Sequence, residues 1–110
     1  MEKLTQQELE SVLQEFSSRM AMHFGSRMRD ARLFGSYARG TAHAGSDVDV
    51  LVVLEPPKCS FQDNEVIGEI LSDLCIEYGA LVLPVIVSEE EYRTTDLAFF
   101  RNVRRESIAV

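Results

Sequence analysis

The residues best suited to chemistry in this sequence are a Gly35-Ser36 pair and, after ten intervening residues, Asp47-Val48-Asp49. The two aspartates open an apolar run, Val48 to Leu54, that Pro56-Pro57 terminates. β-Branched residues dominate the run, which predicts a strand. Side chains two apart on a strand share a face, so both carboxylates should stand side by side at its start. At about 4 Å such a pair repels by roughly 1 kcal/mol in water, and by roughly 4 kcal/mol at an effective dielectric of 20. A cation relieves that repulsion. An oxygen-only donor set suits Mg²⁺ or Mn²⁺, with water and substrate phosphates completing the shell. Asp47 and Asp49 are therefore the candidate catalytic residues and metal ligands.

The Gly-Ser pair can supply the other half of a nucleotide site. Residues 29–34 predict a short strand ending in Leu33-Phe34, and Gly35 lets the backbone turn sharply or approach a ligand. Ser36 suits a helix N-cap, with Tyr37-Ala38-Arg39 as a first turn before Gly40. A helix start offers free N–H groups to a phosphate, and the Ser36 hydroxyl adds one more donor. Each motif alone is weak, since a Gly-Ser is common and Asp-x-Asp often marks a solvated turn. Their combination, with each predicted strand in place, is far more specific.

Gly35-Ser36, ten residues, then Asp47-x-Asp49 resembles the signature of the DNA polymerase β-type nucleotidyltransferase superfamily. The fuller string, Gly-Ser-Tyr-Ala-Arg-Gly followed by Ser-Asp-Val-Asp-Val-Leu-Val, is similar to the minimal nucleotidyltransferases, small proteins that are often antitoxins paired with HEPN-domain toxins. The resemblance implies a nucleoside triphosphate, ATP foremost, held by Gly35, Ser36, Arg39 and Ser46, with Mg²⁺ or Mn²⁺ on Asp47 and Asp49. It implies transfer of AMP to a hydroxyl, a tyrosine of the toxin. It also implies a third carboxylate on a later strand. Residues 81–87 (LVLPVIV) contain none; Glu77 precedes them and Glu89, Glu90 and Glu91 follow. Two-metal transfer needs a second ion to activate the attacking oxygen, so this gap leaves nucleotide binding better supported than fast turnover.

A length of 110 residues fits one domain, 1–110. A net charge of −7 argues against direct nucleic-acid binding, which needs a basic patch, and suits a metal cleft or a basic partner. Cys59 and Cys75 make no metal or disulfide pattern; Cys75 falls on a helical pattern and is expected to pack as a small apolar residue. No signal peptide or membrane-spanning run is recognisable, so the cytosol is the expected compartment and no membrane partner is expected. A homo-oligomer stays open.

Residues 5–24 predict an amphipathic helix with a Thr5/Glu8 capping box, Leu9, Val12, Leu13, Phe16 and Met20 on its apolar face, and Gly25 as its stop. His23 is expected to complement the helix dipole, and Arg27 and Arg29 to be solvated. His43 falls in the connection between the motif halves. Ser60 and Asp63 start a second helix that Gly79 closes, and Gly68 inside it suggests close packing. Pro84 makes the strand over 80–87 an edge or bulged one. The Ser88-Glu-Glu-Glu stretch predicts a capped helix start, and a short helix follows from Thr95 or Asp96. Of the adjacent Phe99 and Phe100, one should be exposed. The order of elements gives an α/β domain with a small mixed sheet, helices mainly on one face, and the motif at a sheet edge. Three functions remain: a transferase as above, a binding module that neutralises a HEPN ribonuclease by contact, or a nucleotide sensor.

Overall fold

The computed structural model describes residues 2–110. Helix α1 (Gln6–Phe24) starts at the predicted capping box and buries Leu9, Val12, Phe16, Met20 and Phe24 at helical spacing. A single 3-10 turn, Gly25–Arg27, leads into β1 (Met28–Phe34), the short motif helix α2 (Ser36–Arg39) and β2 (Val48–Leu54). Helix α3 (Phe61–Tyr78) has Ser60 and Asp63 as its capping box and Gly79 in the left-handed region as its stop. Strand β3 (Val82–Val87), helices α4 (Glu89–Thr94) and α5 (Ala98–Glu106), and β4 (Ile108–Ala109) complete the chain.

The sheet order is β3-β2-β1-β4. β1 is antiparallel to β2 and to β4, whereas β2 and β3 run parallel across the α3 crossover. β2 is thus central, and its apolar run is buried on both faces. Val48, Val50, Val52 and Leu54 pack with α1 and α3, while Leu51 and Val53 pack with Val87, Phe100 and Val103. The two long helices share one face, as expected. The short α5 covers part of the other through Phe100, leaving Phe99 41% exposed. Pro84 is accommodated because β3 is an outer strand. β4 was not foreseen: two residues carry too little pattern to read, and pairing with Arg32 and Leu33 defines them.

Four surface readings change or gain a partner. Arg27 is a clamp rather than a solvated side chain. It donates to the Pro56 and Lys58 carbonyls at 3.0 and 2.9 Å and to Asp63 at 3.2 Å. His23 Nε2 lies 2.7 Å from Asp63 Oδ1, which joins the end of α1 to the start of α3 directly. Cys75 is exposed instead of packed, and Gly68 has open space beside it rather than a close neighbour.

The Ser60 N–H, then His23 and Arg27, hold the Asp63 carboxyl well below its ordinary value of 3.8. A carboxyl depressed on folding contributes stability that is present above pH 3.8 and lost as pH falls from there toward its folded value. Asp63→Asn is expected to lower the melting temperature at neutral pH and to flatten the acid limb of the stability curve. Thermal melts across pH would show a wild-type acid limb unchanged by the substitution if this network were idle.

Candidate active site

β1 ends at Phe34, and the chain turns at Gly35 with φ 78° and ψ −157°. Gly35, rather than Ser36, is the residue that caps α2; Ser36 is the first helical residue and its side chain makes no cap hydrogen bond. The Gly35 carbonyl accepts from the N–H groups of Ala38 and Arg39. The first N–H groups of such a turn have no carbonyl one turn earlier to bond, and the Ser36 hydroxyl stands beside them.

Register brings the two motif halves together. Phe34 pairs with Asp49 across the antiparallel ladder, and Asp49 pairs with Leu83 across the parallel one. Phe34, Asp49 and Leu83 therefore form a row on one sheet face. A Cβ added to Gly35 would overlap Oδ2 of Asp49, with the carboxyl carbon 3.1 Å away. The turn backbone thus lies directly against the carboxylate. Asp47 precedes the first residue of β2 and has the same parity as Asp49. The group sits at the ends of the two central strands rather than at a lateral sheet edge, because β2 has a neighbour on each side.

Burial, and then the charge of Asp47, push the Asp49 carboxyl up; the Arg39 guanidinium opposes them. Arg39 is itself exposed, and its charge reaches the carboxylate. Ser46 is a loop brace: its Oγ accepts from the His43 N–H at 2.9 Å, and its own N–H donates to the His43 carbonyl at 2.9 Å. His43 is a loop residue, with Nδ1 2.8 Å from the Ala44 carbonyl.

Two adjacent carboxylates, one half-buried and strained by the other, fit a single divalent cation whose remaining ligands come from water and phosphate. Among the described residues no three His, Cys, Asp or Glu side chains converge. On β3, where the resemblance implies a third carboxylate, the residue paired with Asp49 is Leu83, 46% exposed. A cavity of about 400 Å³ lies around Leu4, Tyr37 and Gly40, and neither carboxylate lines it. There Tyr37 Oη accepts from the Leu4 N–H at 3.0 Å and ties the motif helix to the N-terminal segment. A smaller one, about 210 Å³, opens at Gly35 and Arg39 against α5. Phe34, Leu83 and Phe99 escaped notice as site neighbours. Strand parity could have exposed the first two, once the register was known.

Gly35→Ala meets both a left-handed backbone and the Asp49 carboxylate. It is expected to cost about 1–3 kcal/mol in stability and at least about tenfold in Mg²⁺-dependent nucleotide affinity, measured by denaturant unfolding and calorimetry. In the metal-free protein Asp49 is expected to titrate above its ordinary 3.8. Asp47→Asn should move it down and Arg39→Ala up, read by carboxyl ¹³C shifts against pH. Movement in the opposite directions would refute the assigned causes.

A nucleotidyltransferase domain model matches residues 9–106. A candidate protein adenylyltransferase of Methanocaldococcus jannaschii, MJ1305, is 36% identical over 84 residues; the match covers 76% of this chain and 57% of that one. The protein adenylyltransferase MntA of Thermococcus cleftensis is 44% identical over 55 residues, covering 50% of this chain and 54% of that protein. The matched stretches span little more than half the length of these two relatives. A solved structure described as a minimal nucleotidyltransferase aligns with a TM-score of 0.57 at 27% identity, covering 93% of this chain and 95% of that one. A crystal structure of a toxin–antitoxin complex with AMP-PNP shares the fold, with a TM-score of 0.54, 21% identity and coverage of 86% and 68%. A family match across most of the chain, on a sheet that brings Gly35 against Asp49, makes this protein a member of the nucleotidyltransferase domain family, of the minimal, MntA-like kind.

Proposed function

We propose that this protein is a Mg²⁺-dependent adenylyltransferase that moves AMP from ATP to a tyrosine hydroxyl of a HEPN-domain toxin, and so acts as its antitoxin in the cytosol. The observation that carries the reading is the contact between the Gly35 turn and the Asp49 carboxylate. It sets an anion-binding backbone and a cation-binding side chain against each other. The names of the MJ1305 and MntA relatives support protein adenylylation. The AMP-PNP in a neighbour of the same fold supports a triphosphate ligand and a toxin partner. The toxin in that complex of the same fold supports an acceptor carried on another protein. A net charge of −7 suits a basic one.

Asp47 and Asp49 would hold the cation, which when bound supplies positive charge against the phosphate oxygens. Gly35 lets the turn come close, the Ser36 hydroxyl donates to a phosphate oxygen, and Arg39 adds charge at the rim. The acceptor oxygen bonds to the α-phosphorus as the bond to the bridging oxygen breaks. Pyrophosphate leaves, and the hydroxyl proton passes to solvent. These residues contribute position and electrostatics, the main needs of phosphoryl transfer.

Leu83 favours a second reading, in which the chain neutralises a toxin by contact alone. Incubation with α-labelled ATP, Mg²⁺ and the toxin encoded beside this protein separates the two. Wild type is expected to label the toxin, Asp47→Asn to lose at least about a hundredfold, and Leu83→Asp to gain rate. No label from wild type and Asp47→Asn alike, with both still protecting cells, would establish the second reading.

A further inference from the structure

The roughly 210 Å³ cleft beside the site is lined by Phe34, Gly35, Arg39, Phe99, Asn102 and Glu106. Its walls are the end of β1 and one side of α5. Phe34 shares the sheet face of Asp49. Phe99 meets it edge to face, with centroids 5.5 Å apart and planes at 89°. Phe99 is 41% exposed, so ring surface remains open. α5 is anchored rather than loose. Arg32 donates to the Ser107 hydroxyl at 2.6 Å and to its carbonyl at 3.2 Å, and Arg104 donates to the Tyr92 and Thr95 carbonyls at 2.7 and 3.1 Å. The Asn102 carbonyl oxygen already accepts from Arg105 at 3.1 Å, which leaves its NH₂ as a free donor. Glu106 offers an acceptor, weakly engaged by Arg105 at 3.4 Å.

We infer that this cleft takes the purine base of the nucleotide, with Phe34 and Phe99 as its stacking wall and Asn102 and Glu106 at its hydrogen-bonding edge. The inference rests on the nucleotide reading above and names where the rest of that ligand goes. Three observations fit a base. Gly35 and Arg39 line both the cleft and the phosphate turn, so the cleft lies within reach of a group covalently tied to the phosphates. The volume is below the ~300–1,000 Å³ that encloses a whole drug-sized ligand, and suits one ring system. The edge presents a donor and an acceptor on two separate side chains, which a base edge answers with two separate atoms and a phenol only with its one oxygen. Aromatic faces beside such an edge are how proteins hold unpaired bases.

Calorimetry with Mg²⁺ and three probes tests this on the isolated chain: α,β-methylene-ATP, the matching uridine analogue, and inorganic tripolyphosphate. Wild type is expected to bind the adenine analogue about tenfold tighter than tripolyphosphate, and tighter than the uridine analogue, whose single ring offers less stacking area. Phe99→Ala should bring it to the tripolyphosphate level. Leu97→Ala, an exposed residue outside the cleft, should change nothing. Phe99 is exposed enough for its alanine variant to fold, which a thermal melt checks. Equal binding of all three probes by wild type, or an unchanged preference in Phe99→Ala, would overturn the base site. Loss of toxin modification by Phe99→Ala with nucleotide binding intact would overturn it too, by giving the cleft to the acceptor. If wild type bound neither tripolyphosphate nor the adenine analogue, the nucleotide reading itself would fall, and this inference with it.

Discussion

Backbone and carboxylate can share the space at the end of β1 only because residue 35 has no side chain. Gly35 takes a positive φ, and the volume a Cβ would fill is already occupied by Asp49 Oδ2. Strand register makes this contact inevitable. With Phe34 paired to Asp49, the residue after Phe34 must turn away beside that carboxylate or collide with it. The site is therefore a consequence of how the sheet zips, and the hydrophobic face that fixes the zipper indirectly fixes the chemistry. A one-residue slip of β2 would bury Asp49 under α1 and α3 and expose Val48, Val50 and Val52.

Much of this was legible because it is local. Thr5 with Glu8, Ser60 with Asp63, and Gly79 announce helix ends within four residues, and the structure uses each. The Val48–Leu54 run reads as a strand because seven residues in sequence carry the pattern. The motif was legible as composition and spacing, but its placement beside Phe34 and Leu83 was not, since register is a long-range quantity. The same holds for Arg27 and His23. Nothing near either in sequence reveals that Asp63, 36 and 40 positions away, will be their partner. The β4 strand exists only as the partner of Arg32 and Leu33. Cys75 looked packed because it neighbours Leu74 on a helical pattern, yet one helical step of about 100° carries it from the buried side to the open one.

The arginines of the last helix serve the fold itself. Arg101, Arg104 and Arg105 lie beside two phenylalanines. In the fold Arg104 satisfies carbonyls at the end of α4, Arg101 pairs with Asp96, and Arg105 meets Asn102 and Glu106. Much of their bonding capacity goes to holding α5 against α4 and against itself. That local bracing, with the Arg32–Ser107 bonds, gives Phe99 a fixed place beside the site.

Leu83 has two opposite effects on the carboxylates, and their balance shapes the chemistry. As a missing ligand it removes a position from which a second cation could be held. As an apolar neighbour, with Phe34 on the other side, it withholds water from Asp49. Burial is the first cause of that carboxyl's upward shift, ahead of the charge of Asp47. A carboxylate with less water around it is a costlier charge when alone and a stronger partner for a cation, because both terms scale inversely with the local dielectric. On the proposed function, the row Phe34–Asp49–Leu83 would exchange a second ion for tighter dependence on the first. Arg39 can offset only part of the charge from the rim, where solvent screens it. On the same reading, the pair would remain short of positive charge until a cation and its phosphate ligands arrived together.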